Sequence, residues 1–264
     1  MYILCISDKN NQERRENAVS EFKKIGLEFE FFDAVMGKNM TQKELDEKVL
    51  IRNFLNPGEI GCVLSHLGCY KRLLDSRGKS LVIFEDDVIF TDGMRLSRLK
   101  KLVDFVESRR APAVLVMQTC EYDYGVEKQV DESLAIHTAF GMHNTHGYIL
   151  NRAAAETITR LQNPIAFQID LFKFYYFLTG MELFSLNLDL SVQADRKVLP
   201  STITADIADY GKFDKERRKA FWKIFWGKSF GEQMGILGRR LKKHYLSNVT
   251  RKQFLKESEK SGHS

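Results

Sequence analysis

Three consecutive acidic residues, Glu85, Asp86 and Asp87, stand between two apolar runs at residues 81–84 and 88–90. Carboxylates in the middle of such a run are costly to bury unless they have partners. Their oxygens are the ligands that Mg²⁺ and Mn²⁺ prefer, and Glu85 and Asp87 have acid-x-acid spacing. A metal held there would act as a Lewis acid and stabilise a diphosphate as it leaves. The alternative is a surface turn at the end of a strand.

The elements around these acids predict an α/β fold. Apolar runs of strand length alternate with helix-like segments in the first half of the chain, which favours a mostly parallel central sheet with flanking helices. In such a sheet, ligands gather at the carboxyl ends of the strands, where residues 85–87 are expected. The predicted strands cover residues 2–6, 29–35, 81–84, 114–117, 147–150 and 183–192, and the predicted helices cover residues 12–25, 59–76 and 153–161.

The formal net charge of +5 is the balance of two unlike parts of the chain. Residues 211–264 contain 15 Lys and Arg against 5 Asp and Glu, whereas residues 1–210 contain 25 against 30. We therefore predict a catalytic domain at 1–210 and a basic, aromatic, helical tail at 211–264. Such a tail is typical of a helix that lies on an anionic membrane surface. The alternative is that its aromatic residues pack on the rest of the protein.

The termini and the cysteines indicate a cytosolic protein. The apolar run at residues 2–6 is too short for a signal peptide, and no run reaches the ~20 residues that span a bilayer. None of the four cysteines forms a Cys-x-x-Cys pair, so their spacing predicts buried apolar residues rather than a zinc or redox site. The total charge is too small for a dedicated nucleic-acid binder, and no nucleic-acid partner is expected.

Two segments, NPGEIGCVLSH at 56–66 and LVIFEDDV at 81–88, closely resemble glycosyltransferase family 25 in their order and spacing. Arg14-Arg15, FFDA at 31–34 and THGYIL at 145–150 add weaker matches, so that the resemblance extends over residues 1–205. That family includes bacterial lipooligosaccharide galactosyl- and glucosyltransferases and the collagen galactosyltransferases of animals.

The resemblance implies a GT-A-like fold, a UDP-sugar donor, a divalent metal (Mn²⁺ first, Mg²⁺ second) and inversion at the anomeric carbon. It assigns Glu85 and Asp87 to the metal. Adjacent helical residues point in different directions, so Ser65 and His66 are not expected to face one ligand equally. The donor-binding residues that the resemblance implies are Arg14 for phosphate or base, Asp33 for uridine, Asp86 for ribose or donor, Gln193 for donor or metal, and Ser65 and His66 on the helix before the acids.

An inverting transfer needs a base to deprotonate the acceptor hydroxyl. Asp170 stands where the family has an acid after its Gly-Tyr strand, and its apolar neighbours would raise its pKa. Its alternative role is the N-cap of the next helix. Glu121 and Asp123, after the run at 114–117, are rival candidates.

The predicted function is transfer of a hexose, galactose first and glucose second, from a UDP-sugar to the saccharide of a bacterial lipooligosaccharide core. A lipid-linked acceptor would place the enzyme on the inner face of the cytoplasmic membrane, attached through the anionic lipid surface. Two alternatives remain open. One is a metal-dependent nucleic-acid enzyme, and the other is a non-catalytic family member that serves as an assembly partner.

Overall fold

Ten strands, eight α-helices and one 3-10 helix (Gly37–Asn39) occur in residues 1–120, 124–143, 145–194 and 210–261, which are the residues that the computed structural model describes. The strands are β1 (Ile3–Ser7), β2 (Glu30–Asp33), β3 (Ser80–Glu85), β4 (Val88–Phe90), β5 (Ala113–Val116), β6 (Val126–Gln129), β7 (Ala135–Thr138), β8 (Gly147–Asn151), β9 (Glu182–Leu186) and β10 (Ser191–Gln193). The helices are α1 (Gln12–Lys24), α2 (Gln42–Lys48), α3 (Pro57–Asp75), α4 (Leu96–Ser108), α5 (Arg152–Leu161), α6 (Phe172–Thr179), α7 (Tyr210–Trp226) and α8 (Phe230–Ser261).

The central sheet has eight strands in the order β2-β1-β3-β8-β5-β9-β7-β6. Strands β2, β1 and β3 are parallel neighbours, β5 and β9 are parallel, and only β8 and β7 run against the common direction. The predicted α/β class, with a mostly parallel sheet and flanking helices, is confirmed. Because β2, β1 and β3 run the same way, the loops that follow them leave the sheet at one edge.

Successive side chains of the central strands point to opposite faces of the sheet, and helices bury both faces. Leu81 and Ile83 of β3 belong to a cluster with α3, α5 and α6, while Val82 and Phe84 belong to a second cluster with α1 and α4. All four side chains are fully buried. A strand that helices cover on both faces needs apolar residues at every position, which explains the continuous apolar run of β3.

Helix α3 begins at a capping box. The Asn56 side chain accepts a hydrogen bond from the Glu59 backbone N–H at 2.9 Å, and the Glu59 carboxylate accepts one from the Asn56 backbone N–H at 2.9 Å. Pro57 occupies the first turn, where its missing N–H costs nothing. This box fixes where α3 starts and therefore which of its side chains face the sheet edge.

The strand predicted at residues 183–192 is wrong as a single element, because the chain turns within it. Strand β9 pairs in the central sheet, whereas β10 pairs with β4 in a separate two-stranded ladder. The polar residues of the turn explain the break. Asn187 accepts a hydrogen bond from the Ala135 backbone and Asp189 accepts one from the Thr119 backbone, both outside the strand's own ladder.

Helices α7 and α8 confirm the predicted helical character of the C-terminal segment. Phe221 and Phe225 are 3% exposed and join the buried cluster that contains α3, α5 and α6. Trp226 and Phe230 are exposed. None of the helices in the described part of the chain is both long enough and apolar enough to cross a membrane.

Candidate active site

A cavity of about 300 Å³ lies at the edge of the sheet where β2, β1 and β3 end. Its wall is built from the last residues of β1 and β3, the segment at residues 34–38 that follows β2, and one face of α3. The structure brings seven of the predicted site residues together in this wall, namely Arg14, Ser65, His66, Glu85, Asp86, Asp87 and Gln193.

Arg14 joins the two aspartates that follow β3. Its Nε lies 2.7 Å from Asp86 Oδ1 and its Nη2 lies 2.6 Å from Asp87 Oδ2, and all three side chains are buried. Burial raises the pKa of Asp86 and of Asp87, and the charge of Glu85 raises the pKa of Asp87 further, while Arg14 lowers both. Asp87, a predicted metal ligand, and Asp86, a predicted donor contact, are therefore both arranged around a positive charge.

The β4–β10 ladder places Gln193 beside Asp87. Gln193 pairs with Val88 in the ladder, and its Nε2 donates a hydrogen bond to Asp87 Oδ2 at 2.9 Å. The second oxygen, Asp87 Oδ1, is buried and has no hydrogen-bond partner among the described residues. A buried carboxylate oxygen in this condition is costly unless a ligand satisfies it.

Glu85 takes part in a different set of contacts. Its Oε1 lies 3.3 Å from His66 Nε2 and accepts a hydrogen bond from the Thr145 hydroxyl. Burial alone would raise the pKa of Glu85, but these hydrogen bonds lower it below its ordinary value. On the other side of the ring, His66 Nδ1 lies 2.7 Å from the Tyr148 hydroxyl, which lies 2.7 Å from the Tyr70 hydroxyl.

Ser65 holds the loop at residues 34–38 against α3. Its hydroxyl donates to the Gly61 carbonyl at 2.7 Å and accepts from the Val35 backbone N–H at 2.8 Å. The contact is so close that a Cβ added at Gly61 would lie 2.4 Å from the Val35 carbonyl oxygen, and one added at Gly37 would lie 1.7 Å from the Pro57 carbonyl oxygen. Glycine at both positions is what allows this loop to form a wall of the cavity.

A model of one protein family, glycosyltransferase family 25 (LPS biosynthesis protein), matches residues 1–173. The chain belongs to glycosyltransferase family 25. The matched region includes β1, β2, β3 and α3, so it contains the whole of the cavity wall except Gln193.

The family 25 chain is similar to curated proteins from animals and bacteria. It is 26% identical over 173 residues to a glycosyltransferase 25 family member of Anopheles gambiae, covering 61% of this chain and 29% of the relative. The same shares are covered by a probable inactive glycosyltransferase 25 family member 3 of Bos taurus, at 26% identity. Lacto-N-neotetraose biosynthesis glycosyltransferase LgtB of Neisseria meningitidis is 32% identical over 91 residues, 33% of each chain. The matches thus span a third or less of each relative's length.

Among solved structures, the family 25 chain resembles UTP-bound UGPase from Acinetobacter baumannii only distantly. The TM-score is 0.42 at 10% sequence identity, and the alignment covers 91% of this chain and 99% of that chain.

Two predicted site residues of the family 25 chain, Asp33 and Asp170, do not line the cavity. Asp33 ends the edge strand β2, where it is exposed and forms an ion pair with Arg15. Asp170 lies in the turn before α6, and the N-cap of that helix is Leu171, so Asp170 does not have the alternative capping role. Glu121 lies outside the described residues, as does its rival Asp123.

Sequence reasoning missed three residues that line the cavity, namely Asp8, Lys38 and Cys62. Asp8 directly follows β1 and Lys38 lies in the loop after β2, so the rule that ligands meet strand ends would have found both. Cys62 is one helical turn before His66 on α3, which places the two side chains on one face of the helix. The sequence prediction considered only the spacing between cysteines, and that spacing does not show that Cys62 lies beside His66 on α3.

Proposed function

We propose that this family 25 chain is an inverting glycosyltransferase that moves a hexose from a UDP-sugar to the saccharide of a lipooligosaccharide core. Galactose is the first choice of sugar and glucose the second. The observation that carries the proposal is the meeting of Arg14, Asp86, Asp87 and Gln193 at the edge where three parallel strands end. This arrangement combines oxygen ligands for a cation with a positive side chain for an anionic donor.

The residues present fit a divalent metal. Asp87 Oδ1 is buried without a hydrogen-bond partner among the described residues, and carboxylate oxygens suit Mn²⁺ and Mg²⁺. In the proposal Asp87 holds the ion directly, whereas Glu85, the other acid of the predicted acid-x-acid pair, contacts His66 and Thr145. When bound, the ion would neutralise charge on the departing diphosphate.

The other side chains of the cavity bind and orient the donor. The Arg14 guanidinium offers several donor N–H groups, which suits phosphate oxygens as well as the two carboxylates it now contacts. Lys38 adds a second positive charge from the loop at 34–38. Ser65 keeps that loop in place through the Val35 backbone, so its role in the proposal is to position the wall rather than to touch the donor.

The base remains a prediction, with Asp170 and Glu121 as the first two candidates and Asp123 as a further rival. Asp170 is half-buried, and its charge helps to raise the pKa of Cys62 in the cavity wall after the larger effects of burial and of Glu85. Replacement of the true base by its amide is expected to lower kcat by about 10²- to 10⁴-fold without weakening UDP binding. Comparison of Asp170→Asn with Glu121→Gln in a transfer assay distinguishes the two candidates.

A thermal-shift assay with UDP, with and without Mn²⁺, tests the donor site. The proposal expects a rise in Tm that requires the metal and disappears in Asp87→Ala. Asp75→Ala is the matched control, since Asp75 is exposed at the end of α3 and forms an ion pair with Lys71, outside the cavity wall. The absence of any UDP effect would refute the proposal and favour a non-catalytic member of the family.

Release of UDP from a panel of UDP-sugars then identifies the donor, because slow hydrolysis needs no acceptor. Faster release from UDP-galactose than from UDP-glucose is the expected order. Affinity for nucleic acid that falls steeply with salt, together with no response to any UDP-sugar, would favour the nucleic-acid enzyme instead.

Attachment to the inner face of the cytoplasmic membrane is part of the proposal, and α7 and α8 supply its surface. Phe230, Met234, Leu241 and Tyr245 of α8 are all more than half exposed. At about 100° per residue they fall within about 60° of one another around the helix axis, so they form one apolar stripe. The exposed Trp226 ends α7, four residues before the stripe begins in the sequence, and Lys223 of α7 and Lys242 of α8 are also exposed.

Vesicle co-sedimentation tests this attachment. Binding to vesicles that contain anionic lipid, and weaker binding to neutral vesicles, is expected because apolar side chains and lysines act together. The double variant Phe230→Ser/Leu241→Ser should lose most of the binding. Val126→Ser is the matched control, because Val126 is 60% exposed but lies on β6, outside the stripe. Equal binding by all three proteins would refute the stripe as the membrane contact.

A further inference from the structure

Cys62, His66 and Glu85 form a compact group in the inner wall of the cavity. The Cys62 sulfur, a ring nitrogen of His66 and a carboxylate oxygen of Glu85 all lie within 4.8 Å of one another. Two of these side chains come from successive turns of α3 and the third from the end of β3. Both elements are fixed by the packing of the core, so the three ligand atoms are held together before any ion arrives.

The orientation of His66 is set by a partner behind it. His66 is 1% exposed, and its Nδ1 lies 2.7 Å from the Tyr148 hydroxyl, which in turn lies 2.7 Å from the Tyr70 hydroxyl. Burial raises the pKa of both tyrosines, so their hydroxyls remain protonated and neutral. Nε2 is thereby directed to the side of the ring where Glu85 lies. A histidine that ligates a metal through one ring nitrogen ordinarily has a hydrogen-bond partner at the other ring nitrogen, as His66 has in Tyr148.

The surroundings of Cys62 are negative. Besides burial, the charges of Glu85, Asp170, Glu59 and Asp87 raise the pKa of its thiol, so the same charges would attract a cation to its sulfur. A thiolate and an imidazole are softer ligands than the oxygens at Asp87. The two ends of the cavity therefore differ in the metal that they prefer.

We propose that Cys62, His66 and Glu85 bind Zn²⁺, at a position separate from the metal position at Asp87. The three side chains supply one sulfur, one nitrogen and one oxygen ligand, and the fourth position faces the cavity, where water completes a tetrahedron. The Cys62 S–H proton passes to solvent as the sulfur–zinc bond forms. The site requires neither a donor sugar nor catalysis, so it goes beyond the proposed glycosyl transfer.

Two measurements on the full chain test the site. The first is the absorption spectrum with Co²⁺ in place of Zn²⁺, in which a thiolate-to-cobalt charge-transfer band reports the sulfur ligand. The second is Zn²⁺ affinity, measured by competition with a chromophoric chelator. We expect the band in the unmodified protein and in Cys120→Ser, the matched control, because Cys120 does not belong to the group. We expect it to disappear in Cys62→Ser.

The affinity measurements separate the ligands from the positioning residue. Cys62→Ser and His66→Gln should each weaken Zn²⁺ binding at least tenfold, while Tyr148→Phe should weaken it by about 10- to 100-fold through the orientation of His66. Circular dichroism of each variant shows that it is folded.

Absence of the charge-transfer band from the unmodified protein would overturn the proposal, as would Zn²⁺ affinity that Cys62→Ser leaves unchanged. The two measurements use no nucleotide. Their failure would therefore leave the UDP and Mn²⁺ response of Asp87 as a separate result, and failure of that response would not affect the zinc site.

Discussion

Arg14 is expected to contribute more to the stability of the cavity than any other single side chain in its wall. It is the positive partner of two buried carboxylates, at 2.7 Å from Asp86 and 2.6 Å from Asp87. The substitution Arg14→Met keeps most of the side-chain volume and removes the charge, so it leaves two adjacent acids buried without their counter-ion. Breaking a buried pair by removing one partner costs about 3–5 kcal/mol. That is a large part of the roughly 5–15 kcal/mol by which domains are stable.

A double-mutant cycle isolates the cause. Asp87→Asn alone should change the free energy of unfolding by less than about 1 kcal/mol, because burial and Glu85 already disfavour the Asp87 charge. The double variant Arg14→Met/Asp87→Asn removes one of the two carboxylates that Arg14→Met leaves buried without a counter-ion, so that only Asp86 remains. The double variant should therefore recover about 1–3 kcal/mol of the stability lost in Arg14→Met.

Urea unfolding followed by circular dichroism, in buffer with a chelator, measures all four proteins. The pH dependence gives a second check. Arg14 lowers the pKa of both aspartates, so its removal raises them further above their ordinary value of about 4. An acid whose pKa is raised by folding loses stability as the pH rises through that pKa, so the deficit of Arg14→Met should be largest at neutral pH and shrink toward pH ~4. A loss below about 1 kcal/mol, or no recovery in the double variant, would refute the reasoning.

Two further predictions concern the walls of the cavity. Tyr148→Phe leaves the buried Nδ1 of His66 without its partner, and should lower the free energy of unfolding by about 1–3 kcal/mol in urea titrations. An unchanged midpoint would show that the hydroxyl is not what holds the ring. Gly61→Ala puts a methyl group 2.4 Å from the Val35 carbonyl oxygen, and should cost about 1–3 kcal/mol and weaken UDP binding. Gly238→Ala on α8, where a Cβ meets nothing within 4 Å, should instead stabilise slightly; equal effects of the two would contradict the clash.

Helix and strand positions near the site were predictable because they depend on local patterns. The apolar run at 81–84 specifies a strand buried on both faces, and the acids that follow must then lie at its carboxyl end. The run of apolar residues after Pro57 specifies α3. The turn within residues 183–192 was not predictable in the same way, because its polar side chains bond to backbone more than 50 residues away in sequence.

The sequence predicted the composition of the C-terminal segment but not the burial of its aromatic residues. Its basic and aromatic composition was visible in the sequence, but which aromatic residues are buried was not. Phe221 and Phe225 pack on the core while Trp226 and Phe230 face outward. The difference arises from how α7 lies against α6 and α8, and those contacts are set by elements distant in the chain.

The sequence by itself determined the family, the α/β class and the presence of a carboxylate group at the end of β3, since each depends on residue types at short spacing. Only the tertiary structure decided which side chains meet those carboxylates. Arg14 reaches Asp86 and Asp87 because β1 and β3 are parallel neighbours, and Gln193 reaches Asp87 through the β4–β10 ladder. Cys62 lies close to Glu85 because α3 packs against β3. Contacts between residues that are far apart follow from strand order and helix packing, which no local pattern contains.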